Sequence, residues 1–164
     1  MIIGVLSDTH DNKEAILKAI ELFKEKNVEM IIHAGDIVAP FTLEPFMDLE
    51  IPFRGVLGNN DGDEKNLNRK LEEIGTELTE FLDMECDGKK VAVYHGTRPQ
   101  ILEAIVKSRI YDIVASGHTH QPETTLDGNT LIVNPGETCG YLTGVATVAV
   151  VNTEDMNAEI HELK

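Results

Sequence analysis

The chain has 164 residues, of which 41% are hydrophobic and only 5% aromatic, and its formal net charge is −15. That length fits one domain over residues 1–164, with a core built mainly from Ile, Val, Leu and Ala. The negative charge argues against nucleic acid as a partner, because non-specific affinity for nucleic acid comes from Lys and Arg at the phosphates.

Cysteine usage and the amino terminus indicate the compartment. Cys86 and Cys139 form no Cys-x-x-Cys unit, and no basic region is followed by an apolar stretch and a cleavage site. We therefore expect a reducing, cytoplasmic setting.

The apolar segment at residues 1–6 is too short to cross a membrane. A membrane span needs about 20 consecutive apolar residues. We expect no membrane partner.

The first two thirds of the chain alternate predicted strands with predicted helices. Short apolar segments predict strands at residues 1–7, 29–33, 53–57, 89–94 and 111–115. Capping residues and helical spacing predict four helices: one capped by Asp11 or Asn12, a short one beginning at Thr42, an exposed one over residues 61–74 and one beginning at Thr97. This alternation is typical of an α/β fold.

After residue 115 the pattern becomes β-rich. Segments 124–126, 130–133, 144–151 and 158–163 predict strands, and residues 127–129 read Asp-Gly-Asn, which is typical of a turn. These segments predict hairpins rather than further crossover connections.

Side chains able to bind metals follow five of the predicted strands. Residues 8–10 read Asp-Thr-His, 35–36 Gly-Asp, 58–61 Gly-Asn-Asn-Asp, 95–96 His-Gly and 117–120 Gly-His-Thr-His. Open α/β sheets bind ligands outside the carboxyl ends of their strands, so we expect the five motifs to converge.

The motifs offer enough ligands for two ions. In the Asp-x-His and His-x-His pairs, a spacing of two on extended backbone directs both side chains of a pair to the same side. Seven ligands are too many for one ion, whereas two ions roughly 3.5–4 Å apart can share a carboxylate and a water. Asp36 is the predicted bridge, because each carboxylate oxygen can bind one metal. The candidate ligands are Asp8, His10, Asp36, Asn59, His95, His118 and His120.

In this order, the five motifs resemble the calcineurin-like metallophosphoesterase superfamily, and within it the small single-domain metal-dependent phosphodiesterases. The resemblance covers nearly the whole chain. It implies a four-layer α/β/β/α sandwich, in which two mixed sheets are flanked by helices and the late hairpins complete the second sheet. It also implies that Asp8, His10 and His120 bind one ion, that Asn59, His95 and His118 bind the other, and that Asp36 binds both.

The resemblance implies a phosphoric ester hydrolase with two divalent ions per chain. The resemblance implies Mn²⁺ or Ni²⁺, with Fe, Co, Zn or Mg as alternatives. The oxygen and nitrogen ligands, without a thiolate, suit Mn, Fe, Ni, Co or Zn. The expected reaction is hydrolysis of a small phosphodiester, in which the ions polarise the phosphoryl oxygens and a bridging water or hydroxide attacks in line. The candidate catalytic residues are Asp36, Asn60 and His95.

Asn60 departs from the family pattern. Relatives often carry His at this position, where it contacts the phosphate and protonates the leaving oxygen. An amide can donate a hydrogen bond but cannot transfer a proton usefully near neutral pH. We therefore expect either a preference for esters of acidic, easily expelled alcohols or protonation of the leaving group by a water or by the substrate itself.

Three other functions are alternatives to a phosphodiesterase. A phosphomonoesterase of the same fold is the nearest alternative. A non-catalytic scaffold like the retromer subunit is disfavoured because all seven ligand positions carry competent residues. A nuclease is disfavoured by the acidic composition and by the lack of length for an added DNA-contacting domain. A homo-oligomer through an exposed sheet edge is compatible with the sequence.

Some residues near the motifs have simpler interpretations. His33 lies on a predicted apolar strand, where we expect a buried histidine with satisfied hydrogen bonds. His161 is expected at a solvated surface position. Residues 134–136 read Asn-Pro-Gly and predict a tight turn; relatives often follow it with Ser, whereas Glu137 stands here. No catalytic role is assigned to this segment.

Overall fold

The computed structural model describes all 164 residues, which form eleven strands and four α-helices. The strands are β1 (Ile2–Leu6), β2 (Met30–His33), β3 (Phe53–Val56), β4 (Leu78–Thr79), β5 (Phe81–Cys86), β6 (Lys89–Tyr94), β7 (Ile113–Ala115), β8 (Pro122–Asp127), β9 (Thr130–Pro135), β10 (Thr147–Asn152) and β11 (Asn157–Glu162). The helices are α1 (Lys13–Glu25), α2 (Glu44–Met47), α3 (Glu64–Leu71) and α4 (Pro99–Lys107). None of them combines the length and apolar character that crossing a membrane requires.

The strands form two mixed sheets. The first has six strands in the order β11-β10-β1-β2-β3-β4, and the second has five in the order β5-β6-β7-β9-β8. Strands β1 to β4 run parallel, and so do β6, β7 and β9, whereas the outer hairpin strands pair antiparallel. The predicted α/β class with two mixed sheets flanked by helices is confirmed.

The expectation that both late hairpins complete the second sheet is wrong for the last one. β8 and β9 join the second sheet, whereas β10 and β11 join the first. β10 lies antiparallel beside β1, with Ile3 opposite Val151 and Val5 opposite Ala149. An apolar strand such as β1 is stable when both of its edges are paired and both of its faces are covered. β10 supplies the second edge partner of β1.

Two apolar clusters hold the layers together. Between the sheets, residues such as Val5 and Ile32 of the first sheet join Val93 and Val133 of the second in one buried cluster. On the other face of the first sheet, α1 and α3 contribute to a second cluster that includes Phe23. α4 is the only α-helix without a buried residue.

Local chemistry explains where the helices begin. Asn12 caps α1, as expected, by accepting a hydrogen bond from the backbone N–H of Ala15. The helical turn expected at Thr42 begins earlier, as a 3₁₀ turn at Pro40, and α2 follows it. The helix expected over residues 61–74 starts only at Glu64, because Asp61 is engaged in the preceding loop.

Two further features of this region differ from expectation. The apolar side of α3 is fully buried rather than exposed, with Leu67 and Leu71 in the cluster beneath the first sheet. β4 and β5 were not expected. In β5 exposed residues alternate with half-buried ones, and its acidic side chains interrupt the apolar pattern that marks a buried strand.

Candidate metal centre

Hydrogen bonds between loops hold four of the five predicted motifs at one edge of the molecule, and the fifth, residues 58–61, joins them through contacts with Asp36. Asp8 donates its N–H to the carbonyl of Gly35 (2.9 Å), and Gly117 donates to the carbonyl of His95 (2.9 Å). The N–H of His118 reaches Asp8 Oδ2 at 3.0 Å. Each of these bonds joins loops that follow different strands, so the loops fix one another.

The spacing argument assumed an extended backbone, but the backbone of the motifs is not extended. Asp8, His10, Asp36, His118 and His120 all have positive φ, between 38° and 69°. Non-glycine residues in this left-handed region cost about 1–3 kcal/mol each and persist where the surrounding structure fixes them. The loop-to-loop hydrogen bonds provide that fixation.

The side chains of the two histidines in the His-x-His motif separate, which also differs from the spacing argument. His120 stacks on His10 with ring centroids 5.5 Å apart, whereas His118 lies edge-on to His95 with centroids 5.2 Å apart. Each histidine therefore belongs to a different half of the site.

One half of the site is formed by Asp8, His10 and His120. Asp8 Oδ1 lies 3.4 Å from His120 Nε2 and 3.9 Å from His10 Nε2. Two ligand atoms that each lie about 2.1 Å from one ion are separated by roughly 3.0–3.4 Å at tetrahedral or octahedral angles. The Asp8–His120 separation therefore matches a divalent-ion site, and His10 lies about half an ångström farther from Asp8 than that spacing.

The other half contains His95, with His118 against its ring and Asn59 at the rim. His95 Nδ1 lies 2.7 Å from the carbonyl of Ala34, which can only accept, so in the neutral ring Nδ1 carries the hydrogen and Nε2 has the lone pair. Asn59 is exposed, and its Oδ1 accepts a hydrogen bond from Thr97 at 3.4 Å.

Asp36 lies between the two halves. Its Oδ2 is 3.5 Å from His10 Nε2 and 3.4 Å from His95 Nε2, so one oxygen faces both halves rather than one oxygen facing each. Asn60 donates its side-chain N–H to Oδ2 at 2.7 Å and its backbone N–H to Oδ1 at 2.9 Å. Burial opposes ionisation, but the neighbouring His95 and the hydrogen bonds from Asn60 outweigh it and lower the pKa of Asp36.

The orphaned atoms of the site fit a metal ion. Asp8 Oδ1, His10 Nε2 and His95 Nε2 are buried and have no hydrogen-bond partner. Leaving a buried polar atom unsatisfied costs about 1–3 kcal/mol, so three in one place call for an explanation. Ligand atoms of Asp8, His10 and His120 lie within 4.8 Å of one another, and so do those of Asp8, Asp36 and His95. Divalent cations in the two halves of the site would satisfy all three orphaned atoms.

Glu137 is the residue of the site that sequence reasoning missed. Its side chain is fully buried, and Oε2 lies 2.7 Å from His120 Nδ1. Burial raises its pKa, but hydrogen bonds from His120, Thr143 and Leu142 outweigh burial and lower the pKa of Glu137 to about 2. The available signal was the acidic residue itself, which stands after the predicted turn where relatives often carry Ser.

Asp61 and His33 support the loops from beneath. The Asp61 carboxylate accepts backbone N–H groups of Asp36, Val38 and Gly58 at 2.7–3.0 Å, although burial raises its pKa. His33 is fully buried, and burial lowers its pKa to about 3. Its two ring nitrogens contact the Thr9 hydroxyl and the Gly35 N–H, so it joins the first two motifs.

His161 lies outside the site. It is on β11, where its Nε2 is 3.6 Å from Glu159 Oε2. We expected a solvated surface position, but the side chain of His161 is only 19% exposed and is therefore largely buried.

Comparison with known proteins gives the family. Residues 1–156 match the calcineurin-like phosphoesterase superfamily domain. A Methanocaldococcus jannaschii protein named phosphodiesterase is 42% identical over 156 residues, which cover 94% of each chain. The solved structure of an archaeal phosphodiesterase has a TM-score of 0.95 and 39% identity, covering 99% of this chain and all of that one. Vps29 of Chaetomium thermophilum shares the fold, with a TM-score of 0.73, 14% identity and coverage of 99% and 94%. This chain belongs to the calcineurin-like phosphoesterase superfamily.

Proposed function

We propose that this protein is a phosphoric ester hydrolase, and more narrowly a metal-dependent phosphodiesterase of small substrates. The observation that carries the proposal is the convergence of Asp8, His10, Asp36, His95 and His120, three of which present buried atoms without a hydrogen-bond partner. The similarity to the M. jannaschii phosphodiesterase supports the reaction class.

The site would hold two divalent ions. Asp8, His10 and His120 would bind one, Asn59, His95 and His118 the other, and Asp36 both. The position of Asp36 Oδ2, 3.5 Å from His10 and 3.4 Å from His95, supports this assignment. The oxygen and nitrogen ligands suit Mn²⁺ or Ni²⁺. Two such ions supply Lewis acidity at the phosphoryl group and an activated water nucleophile.

The residues of the chain hold the reacting groups in place. The Ala34 carbonyl fixes the ring of His95, and the loops around Asp8 and Asp36 fix both carboxylates. Asn60 is exposed beside Asp36, where its amide can donate to a phosphoryl oxygen. Because the amide cannot transfer a proton, the alcohol must leave as a stable anion or take its proton from elsewhere.

A cavity beside Asn59 supports diesters over monoesters. It has a volume of about 510 Å³, and its lining includes Tyr94, Arg98, Glu64 and Glu80. The second alcohol of a diester would fit there. The two glutamates outnumber the one arginine, so the lining disfavours the additional negative charge that a monoester carries.

The test is hydrolysis of bis-p-nitrophenyl phosphate beside p-nitrophenyl phosphate, after chelation and then with Mn²⁺, Ni²⁺, Mg²⁺ or Zn²⁺ restored. We expect diester hydrolysis to return with metal and to fall by at least ~10²-fold in Asp36→Asn, which removes the shared charge. Asp48→Asn, at an exposed position after α2, is the matched control. Faster monoester hydrolysis would identify a phosphatase. Silence with every metal would favour the non-catalytic scaffold.

A further inference from the structure

Glu137 is the most completely bonded carboxylate of the site. Its side chain is fully buried, and His120 Nδ1 lies 2.7 Å from Oε2. The backbone N–H of Leu142 contacts both oxygens at 2.9 and 3.1 Å, the Thr143 hydroxyl donates at 2.7 Å, and the Thr143 N–H donates as well. Cys139 Sγ lies 3.4 Å from Oε2.

This arrangement decides which nitrogen of His120 can bind a metal. A carboxylate can only accept hydrogen bonds, so the contact with Glu137 places the hydrogen of a neutral His120 on Nδ1. Nε2 is then left with its lone pair, and it is this atom that lies 3.4 Å from Asp8 Oδ1. The contact also fixes the orientation of the ring and increases the basicity of Nε2 as a metal ligand.

The Glu137 carboxylate is held independently of His120. Its other bonds come from the turn at residues 142–143, so the carboxylate stays where the backbone of that turn holds it. In the other half of the site, the corresponding contact of His95 is made by a neutral backbone carbonyl, that of Ala34. The two halves therefore differ in the charge of the group that contacts Nδ1 of His95 and of His120.

We propose that Glu137 is a positioning residue for His120, and that it selectively strengthens metal binding by Asp8, His10 and His120 relative to Asn59, His95 and His118. The proposal rests on the two-ion assignment of the proposed function. It assigns a role to a position where relatives often carry Ser, and it predicts two ion sites of unequal affinity.

The test is titration of the chelated protein with Co²⁺, followed by calorimetry and by the d–d absorption of the bound ion. Wild type should bind in two steps. Glu137→Gln keeps the size and removes the charge, and it should weaken one step by ~10–100-fold while the other stays unchanged. Glu159→Gln is the matched control, because Glu159 also lies beside a histidine, 3.6 Å from His161, but on β11 away from the site. It should leave both steps unchanged.

The outcomes separate this inference from the proposed function. Unchanged steps in folded Glu137→Gln, or equal weakening of both, would overturn the inference even if wild type hydrolyses diesters. Selective weakening supports it even if no ester is hydrolysed. Should Glu137→Gln fail to fold, long-range ¹H–¹⁵N NMR of the chelated wild type at neutral pH decides the case. A hydrogen on Nδ1 of His120 supports the inference, and a hydrogen on Nε2 alone overturns it.

Discussion

His95 and His120 are each fixed by a contact at Nδ1, the ring nitrogen that faces away from the site. His95 uses the carbonyl of Ala34, and His120 uses the carboxylate of Glu137. Both partners only accept hydrogen bonds, so each ring in its neutral form carries the hydrogen on Nδ1 and directs Nε2 toward Asp36 or Asp8. The ligand atoms are therefore prepared for a cation before one arrives, and binding need not reorganise the rings.

Asn60 sets the chemistry available to the leaving group. Replacing Asn60 with His adds a proton donor beside Asp36, and general acid catalysis typically contributes about 10²–10⁴-fold. We expect Asn60→His to raise kcat/KM for an alkyl diester by ~10²-fold or more, with little change for bis-p-nitrophenyl phosphate, whose leaving group needs no proton. The measurement is Mn²⁺-supported hydrolysis of both esters.

Asn157→His, at the exposed start of β11, is the control for adding an imidazole elsewhere. Equal wild-type rates on both esters, together with no gain in Asn60→His, would contradict the proposed leaving-group preference.

At the scale of the elements, the loops after the strands approach so closely that side chains are excluded at certain positions. A Cβ on Gly58 would lie 2.1 Å from Asp36 Oδ1, and one on Gly117 would lie 1.8 Å from Ser7 Oγ. Ser7 in turn donates to Asp8 Oδ2 at 2.6 Å. The glycines before the predicted ligands are thus required by contact between neighbouring loops rather than by the turn alone.

Gly117→Ala should therefore push Ser7 and Asp8 out of position. We expect destabilisation by about 1–3 kcal/mol, as for other overpacked sites, and weaker Mn²⁺ binding. Urea unfolding and Mn²⁺ titration measure the two effects. Gly62→Ala is the control, since a Cβ there meets no heavy atom within 4 Å. If the two variants behaved alike, close loop packing would not explain the glycine.

At the scale of the whole molecule, negative charge is concentrated inside as well as outside. The net charge is −15, and the carboxylates of Asp8, Asp36, Asp61 and Glu137 are all buried around one site. Like charges in a low-dielectric region destabilise one another, whereas a bound cation reverses the local potential. Metal ions should therefore stabilise the whole fold as well as the site.

We expect saturating Mn²⁺ to raise the melting temperature of the chelated protein. A ligand at 100 times its Kd stabilises the folded state by about 2.7 kcal/mol, which corresponds to several degrees for a chain of this size. Thermal unfolding with and without Mn²⁺ measures the shift, and Asp36→Asn should lose most of it. An equal shift in that variant would show that the stabilising ions bind elsewhere.

Much of the architecture followed from local patterns. The apolar segments before the five motifs are strands, Asn12 caps α1, and the family resemblance drawn from the motifs is confirmed. Where the pattern was weak, prediction failed. β5 was missed because its acidic, alternately exposed residues lack a continuous apolar run. The helix predicted from Asp61 begins later because three backbone N–H groups occupy its carboxylate.

Most of the strands and helices, and the chemistry of the candidate ligands, follow from the amino-acid sequence alone, because periodicity, capping and side-chain type are local properties; β4 and β5 are the exceptions. Packing between distant segments decides that β10 pairs with β1, that one oxygen of Asp36 faces both His10 and His95, and that Glu137 lies behind His120. These contacts join residues distant in the chain, and the left-handed backbone that directs the ligands is stabilised by neighbouring loops. Such geometry depends on packing, which no single segment encodes.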